Sequence, residues 1–232
     1  MNHSSKVSPS FSSAHRLAQL VIVFSAILSA VNLVAIAVRY RQVLIDDSDW
    51  QIIGVLQAFA ILATGIFFLI WFYCAHQNLR ALGIRRGRYS SPWSILLFFV
   101  PFLNLYYGYD LVKELWRQSS PDLGFSDDFL KQHASTLKQY PTKTSRIGLW
   151  WGFTIASSFM ARTSLLLLSS PTVSNSEFVS ATWMNMIADA LSIAASISLI
   201  LVVKDTDERQ EEKHRRLTIN VASQQMTELL PT

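Results

Sequence analysis

Residues 71–116 read WFYCAHQNLRALGIRRGRYSSPWSILLFFVPFLNLYYGYDLVKELW, and how this stretch meets a bilayer decides the arrangement of the whole chain. It opens on Trp71, Phe72 and Tyr73, an aromatic run of the kind that sits at headgroup level. A basic exit follows in His76, Arg80, Arg85, Arg86 and Arg88, after which apolar sequence returns from Trp93 to Tyr107. That return is 15 residues long and contains Pro101 and Asn104, with Gly108 just beyond it. A span needs about 20 apolar residues, and a shorter run more often dips into the bilayer or lies along its surface. Proline also removes a backbone donor that lipid cannot replace. The spacing therefore predicts a re-entrant or interfacial broken helix over 93–112, bent at Pro101, Asn104 and Gly108. A fifth span is the alternative.

Outward from this stretch, the composition fixes the class. Only 16% of the 232 residues are charged, against about a quarter in an ordinary soluble domain. The shortage is concentrated in long windows. Leu17–Val38 has 22 residues, enough for about 33 Å of helix and longer than a signal-peptide core. Ile52–Cys74, Ile147–Leu168 and Phe178–Val203 are the other long windows. The expected fold is all-α: a helical integral membrane bundle of four transmembrane helices plus the broken segment. Residues 1–16 read as a disordered tail, 17–203 as one membrane domain with a cytoplasmic connection at 116–146, and 204–232 as a charged cytoplasmic tail. Within the connection, Ser126 can cap a short helix carrying Phe129, His133 and Leu137 on one face. In the tail, Glu211–Arg215 and Glu212–Arg216 stand at i, i+4 and support a helical extension with a solvated face.

Charge decides between the two topologies. With the broken segment dipping and returning, 17 Lys and Arg residues lie inside and 2 outside, both termini being cytoplasmic. With it crossing, the best orientation places 12 inside and 6 outside. The positive-inside bias prefers four spans. The net charge of +4 is thus a matter of orientation, and no nucleic-acid module accompanies it. Membrane lipids are the expected partners, with Arg80, Arg85, Arg86 and Arg88 meeting anionic headgroups at about 1 kcal/mol each. A membrane-protein partner or a second copy of the chain is the other expectation.

Chemistry inside the bilayer points to Arg162 and Asp189, because a charge at mid-membrane costs roughly 2.5–3.5 kcal/mol. The two lie on consecutive antiparallel windows at depths about 7 Å apart. Asn185 stands one turn from Asp189 on the same face. The three form a candidate polar cluster, either an ion pair that pins two helices or the lining of a polar path. No catalytic motif is present, no phosphate-binding glycine loop, and no constellation that implies a metal or cofactor. The single cysteine, Cys74, excludes an internal disulfide.

The central stretch also resembles a bacterial multi-pass membrane family, domain-of-unknown-function family 4328. The resemblance rests on Trp71 with Ala75-His76, Asn78, Arg80-Ala81 and Leu82-Gly83, and on Ser91-Pro92-Trp93. It continues through Pro101 with Asn104-Leu105, Glu114-Leu115-Trp116-Arg117, Trp150-Trp151 and the Val202-Val203…Gln210 exit. Cys74 and Gly108-Tyr109 depart from it, standing where a basic residue and Pro-Tyr are usual. The resemblance implies an integral membrane protein of the bacterial plasma membrane and supplies no catalytic residues. Together these readings lead to an expectation of a non-enzymatic scaffold or regulatory interaction module. A small transporter or channel component, with its path at Arg162, Asn185 and Asp189, is the alternative.

Overall fold

The computed structural model describes residues 11–45, 51–84, 101–126, 130, 140–169 and 172–229. Among them every regular element is a helix: α1 (His15–Ile45), α2 (Gln51–Ala81), α3 (Pro101–Gln118), α4 (Arg146–Leu168) and α5 (Asn175–Leu229). Three are long and apolar enough to cross a membrane, α1 over His15–Leu44, α2 over Ile52–Ala81 and α5 over Asn175–Val221. Their amphipathicity is inverted relative to a soluble helix. On α1 the buried positions Val21, Ser25, Leu28, Asn32 and Ala35 repeat every three or four residues, mostly small or polar, while Val23, Leu33 and Val34 are exposed. On α2 the buried face runs through Gln57, Ala60 and Thr64, and Val55, Phe59 and Leu62 are exposed. Small inner residues let backbones approach, and large outer ones suit lipid.

The chain divides into two compact units. Unit 2 comprises Gln19–Phe68 and Ser145–Val203, drawn from α1, α2, α4 and α5. Its α4 and α5 are tied by two hydroxyls, Ser157 Oγ donating to Ala188 O at 2.8 Å and Ser164 Oγ to Ala181 O at 2.9 Å. The donors ascend as the acceptors descend, so the helices are antiparallel in register. Phe24 stacks on Phe67 at 4.5 Å, and Phe68 meets Trp150 at 5.5 Å. The start of α5 is set by a capping box: Ser174 N and Oγ both donate to Glu177 Oε2 at 2.8 Å, and Glu177 N returns a 3.3 Å bond to Ser174 Oγ.

Unit 1 comprises Met1–Ala18, Leu69–Thr144 and Lys204–Thr232, and here the structure differs most from the sequence reading. Residues 1–10 of the expected N-terminal tail lie outside the described residues, but 11–14 are packed. Phe11 stacks on His214 at 4.2 Å, Ser12 exchanges bonds with Asn78, and Ala14 is buried. As far as Val221 the charged C-terminal residues are not a solvated tail, because α5 continues without a break and buries Arg209, Lys213 and Arg216 to 1% exposure each. Charge alone looked hydrophilic; each of these cations has a protein partner.

Of the expected bend, only the part from Pro101 onward is described. Residues 85–100 lie outside the described set, so the crossing or dipping of 93–112 is not described as a whole. From Pro101 onward the chain is a continuous helix through Asn104 and Gly108 to Gln118. One glycine near this stretch does shape the chain. Gly83, at φ +84°, ends α2 in the left-handed conformation, with Ile84 N bonded to Leu79 O at 2.9 Å. That six-to-one bond is a Schellman cap, which a residue without Cβ accepts at no strain. The short helix expected after Ser126 is seen only as Leu130 N donating to Ser126 O at 3.1 Å; Phe129, His133 and Leu137 lie outside the described residues.

Candidate functional site

In unit 2 the buried stripe of α1 carries Asn32 and, seven residues on, Arg39. Two helical turns put them on one face. α2 brings Gln57 and α5 brings Asp189 and Ser192 to the same place. Arg39 Nη1 donates to Asp189 Oδ2 in an ion pair, and its Nη2 donates to Gln57 Oε1 at 2.9 Å. Gln57 Nε2 donates to Asp189 Oδ1 at 2.8 Å and to Asn32 Oδ1 at 2.9 Å. Asn32 Nδ2 in turn donates to Ser192 Oγ at 2.9 Å. Both carboxylate oxygens and both ends of the Gln57 amide are thereby engaged. A buried polar network of this kind is favourable only when its members are satisfied, and here three helices share the satisfaction.

The structure places Asp189 in this network, at 7% exposure, but it does not bring Arg162 to it. Arg162 is exposed, and Asn185 is half-buried outside the bonded set. Helix geometry explains the difference. Ser157 and Ser164 define the face of α4 that meets α5, and Arg162 lies about 140° and 200° around the helix from them at 100° per residue. Depth allowed the Arg162–Asp189 pair, whereas azimuth does not. Arg39 falls one residue beyond the apolar window Leu17–Val38, yet α1 extends to Ile45 and keeps it on the stripe. The spacing from Asn32 was the available signal.

Unit 1 gathers a second polar centre around α5. Gln210 Nε2 donates to Ala75 O at 2.9 Å and to Ser119 Oγ at 3.1 Å, while its Oε1 accepts from Asn78 Nδ2 at 3.4 Å. Asn78 Nδ2 also donates to Ser12 O at 2.8 Å and its Oδ1 accepts from Ser12 N at 3.3 Å. Arg209 lies over the Trp116 ring at 4.0 Å and the Tyr140 ring at 5.4 Å, and donates to Pro141 O at 2.6 Å. Trp116 Nε1 donates to Asp205 Oδ2 at 2.6 Å. Lys213 Nζ reaches Gln118 O at 3.1 Å, capping the C-terminal end of α3 where a cation is favoured. Burial of that ammonium lowers its pKa to about 8. Arg216 pairs with Glu212 and Asp122.

Beside this centre an open groove of about 620 Å³ is lined by His15, Asp207, Glu211, His214 and Arg215 among others. His15 Nδ1 stands 2.8 Å from Asp207 Oδ2. Burial pushes the Asp207 carboxyl up, an effect that the bond to His15 partly offsets. Among the described residues no group of three or more His, Cys, Asp or Glu side chains is arranged to hold a metal ion.

A family profile described as "Domain of unknown function (DUF4328)" matches residues 40–208, more than two thirds of the sequence. The chain belongs to this family. It is a multi-pass helical membrane protein. No curated protein and no solved structure matches it. Several residues that carry the family resemblance converge in unit 1: Trp71 and Leu82 are buried, Ala75 and Asn78 meet Gln210, Gly83 ends α2, and Trp116 holds Asp205 and Arg209. His76 is buried on the same helix. Arg80 is exposed and Gly108 buried. Pro101 and Asn104 belong to α3, while Arg85, Arg86, Arg88 and Pro92 lie outside the described residues.

Proposed function

We propose that the protein is a non-enzymatic interaction module of the bacterial plasma membrane, in which unit 1 receives a partner and the apolar helices anchor it. The observation that carries this is the architecture of unit 1. The last part of α5, far too charged for lipid, is the buried spine of a folded unit, and a groove with acidic, histidine and arginine side chains lies open on it. The groove suits a polar peptide segment with basic residues, since Asp207, Glu208, Glu211 and Glu212 all line it. Four spans with both termini cytoplasmic accompany this reading, α4 being the fourth and Arg162 extending toward the headgroups near its end. Membrane lipids meet the exposed Arg80 and the basic residues that follow it. The transport alternative is less favoured because Asp189, its expected carboxylate, has both oxygens bonded to Arg39 and Gln57.

A photo-crosslinking amino acid at Thr218, on the groove, tests the proposal in cells. The expected result is a discrete protein adduct that disappears when Glu208 and Glu211 are both replaced by Lys. A reconstituted protein that moves solute across vesicles, and stops when Asp189 becomes Ala, overturns the reading. A reporter fused at Arg86 must give a cytoplasmic signal; an external one refutes the topology.

A further inference from the structure

Unit 2 contains a partly open cavity of about 250 Å³ among α1, α2, α4 and α5. We propose that it is a binding site for a small uncharged molecule carrying a hydroxyl on a compact apolar body, a phenol or cyclic alcohol being the simplest member. No titratable side chain lines the cavity, so a charged ligand would enter without a counter-ion.

The walls are of two kinds. Leu28, Phe68, Trp150 and Leu199 supply apolar and aromatic surface. Hydroxyls supply the rest, and their hydrogen bonds fix what each can still do. Thr64, Thr154 and Ser158 donate their protons to Ala60 O, Trp150 O and Thr154 O, each at 2.8 Å. Their oxygens remain acceptors. Ser192 is the reverse: its oxygen accepts from Asn32, and its own proton is free to donate. Ser196 is 5% exposed, lines the cavity, and has no hydrogen-bond partner among the described residues. Its hydroxyl can therefore both donate and accept toward the cavity. Ser192 and Ser196 stand four residues apart on one face of α5, Ser192 with a proton to donate and Ser196 with its whole hydroxyl open to the cavity.

Size narrows the occupant. A cavity of about 150 Å³ takes benzene, and drug-sized pockets begin at about 300 Å³. A single substituted ring with one hydroxyl fills the space between. Such a ligand partitions into lipid and can exchange its hydrogen bond with the serines for the one it loses.

Full-length protein in lipid nanodiscs is photolabelled with a diazirine-bearing phenol, with thymol and its hydroxyl-free analogue p-cymene as competitors at known mole fractions in the lipid. Adducts should map to the α4 and α5 walls of the cavity. Thymol should suppress them at least tenfold more effectively than p-cymene, because a site built to bond a hydroxyl rejects the analogue without one. Ser196→Ala should bring the two competitors within about threefold of each other. Ser196→Leu, which fills the cavity, should abolish saturable labelling while the helical circular dichroism is retained. If Ser196→Leu fails to fold, Ser196→Ala alone decides. Labelling spread over exposed apolar faces, equal competition by both compounds, or no response to Ser196→Ala overturns the proposal.

Discussion

Breaking the Arg39–Asp189 pair from one side should be expensive, and breaking it from both sides should not. Asp189→Leu removes the acceptor of Arg39 Nη1 and one acceptor of Gln57 Nε2, leaving a guanidinium whose side chain is 19% exposed with Gln57 as its remaining bonded partner. Stranding one member of a buried ion pair typically costs about 3–5 kcal/mol. Side-chain hydrogen bonds inside membrane bundles average nearer 0.6 kcal/mol, because the unfolded state in lipid also finds partners. A loss of about 3 kcal/mol is therefore the expectation, toward the lower end of the soluble range. For a chain of this length that corresponds to a fall of about 6–12 °C in the melting temperature.

The double variant Arg39→Met, Asp189→Leu strands no charge. It keeps the Gln57–Asn32 and Asn32–Ser192 bonds and leaves Gln57 Oε1 unbonded, a cost of about 1 kcal/mol. The coupling between the two positions should then be at least about 2 kcal/mol. Thermal unfolding in a mild detergent, followed by the two single variants and the double in one cycle, measures it. Arg162→Met is the internal control: exposed and not bonded to Asp189, it should change stability by less than about 0.5 kcal/mol and show no coupling to Asp189→Leu. Additive losses at Arg39 and Asp189, or a coupling that appears at Arg162 instead, would refute the assignment.

Lys213 makes a pH prediction. Its folded pKa, about 8, lies below the ordinary 10.5, so between those values the unfolded chain binds more protons than the folded one. Stability should then rise as pH goes from 8 toward 10.5, and Lys213→Met should lose that component of the rise; parallel pH profiles for the two proteins would sink the idea. Gly83→Ala forces a Cβ into a φ of +84° and should cost about 1 kcal/mol, read as a lower melting temperature with the helix content unchanged. Ser174→Ala removes the hydroxyl that bonds both the Glu177 carboxylate and its N–H, and should also cost about 1 kcal/mol; an unchanged melting temperature would show that the capping box contributes nothing.

The contrast between Arg162 and Arg39 shows where the sequence was legible and where it was not. Hydropathy windows located α1, α2, α4 and the apolar first half of α5, since that signal is a one-dimensional sum. The family resemblance held for a related reason: its residues cluster in a few short runs that need no tertiary partner to be seen. Pairing inside the bundle is a three-dimensional property. Depth along a helix follows from counting residues, and on depth alone Arg162 and Asp189 were neighbours. Azimuth depends on which face each helix turns inward, and in an apolar helix that face is marked by small and polar side chains rather than by hydrophobicity. The stripe Ser25, Asn32, Ala35 on α1 marks it, and Arg39 continues it. The same limit hid unit 1. A run such as Asp205–Arg216 reads as a solvated face unless the partners are known, and those partners, Trp116, Gln118 and Asp122, are separated from it by more than eighty residues. Charge among the described residues is thus placed in three ways: paired within the helices of unit 2, buried against α3 in unit 1, and left exposed, as at Arg80, Lys143 and Arg162. The exposed charges behave as a hydropathy scale assumes. That is why the coupling measured between Arg39 and Asp189 is the more telling test: a scale that sees only composition has no means of predicting it.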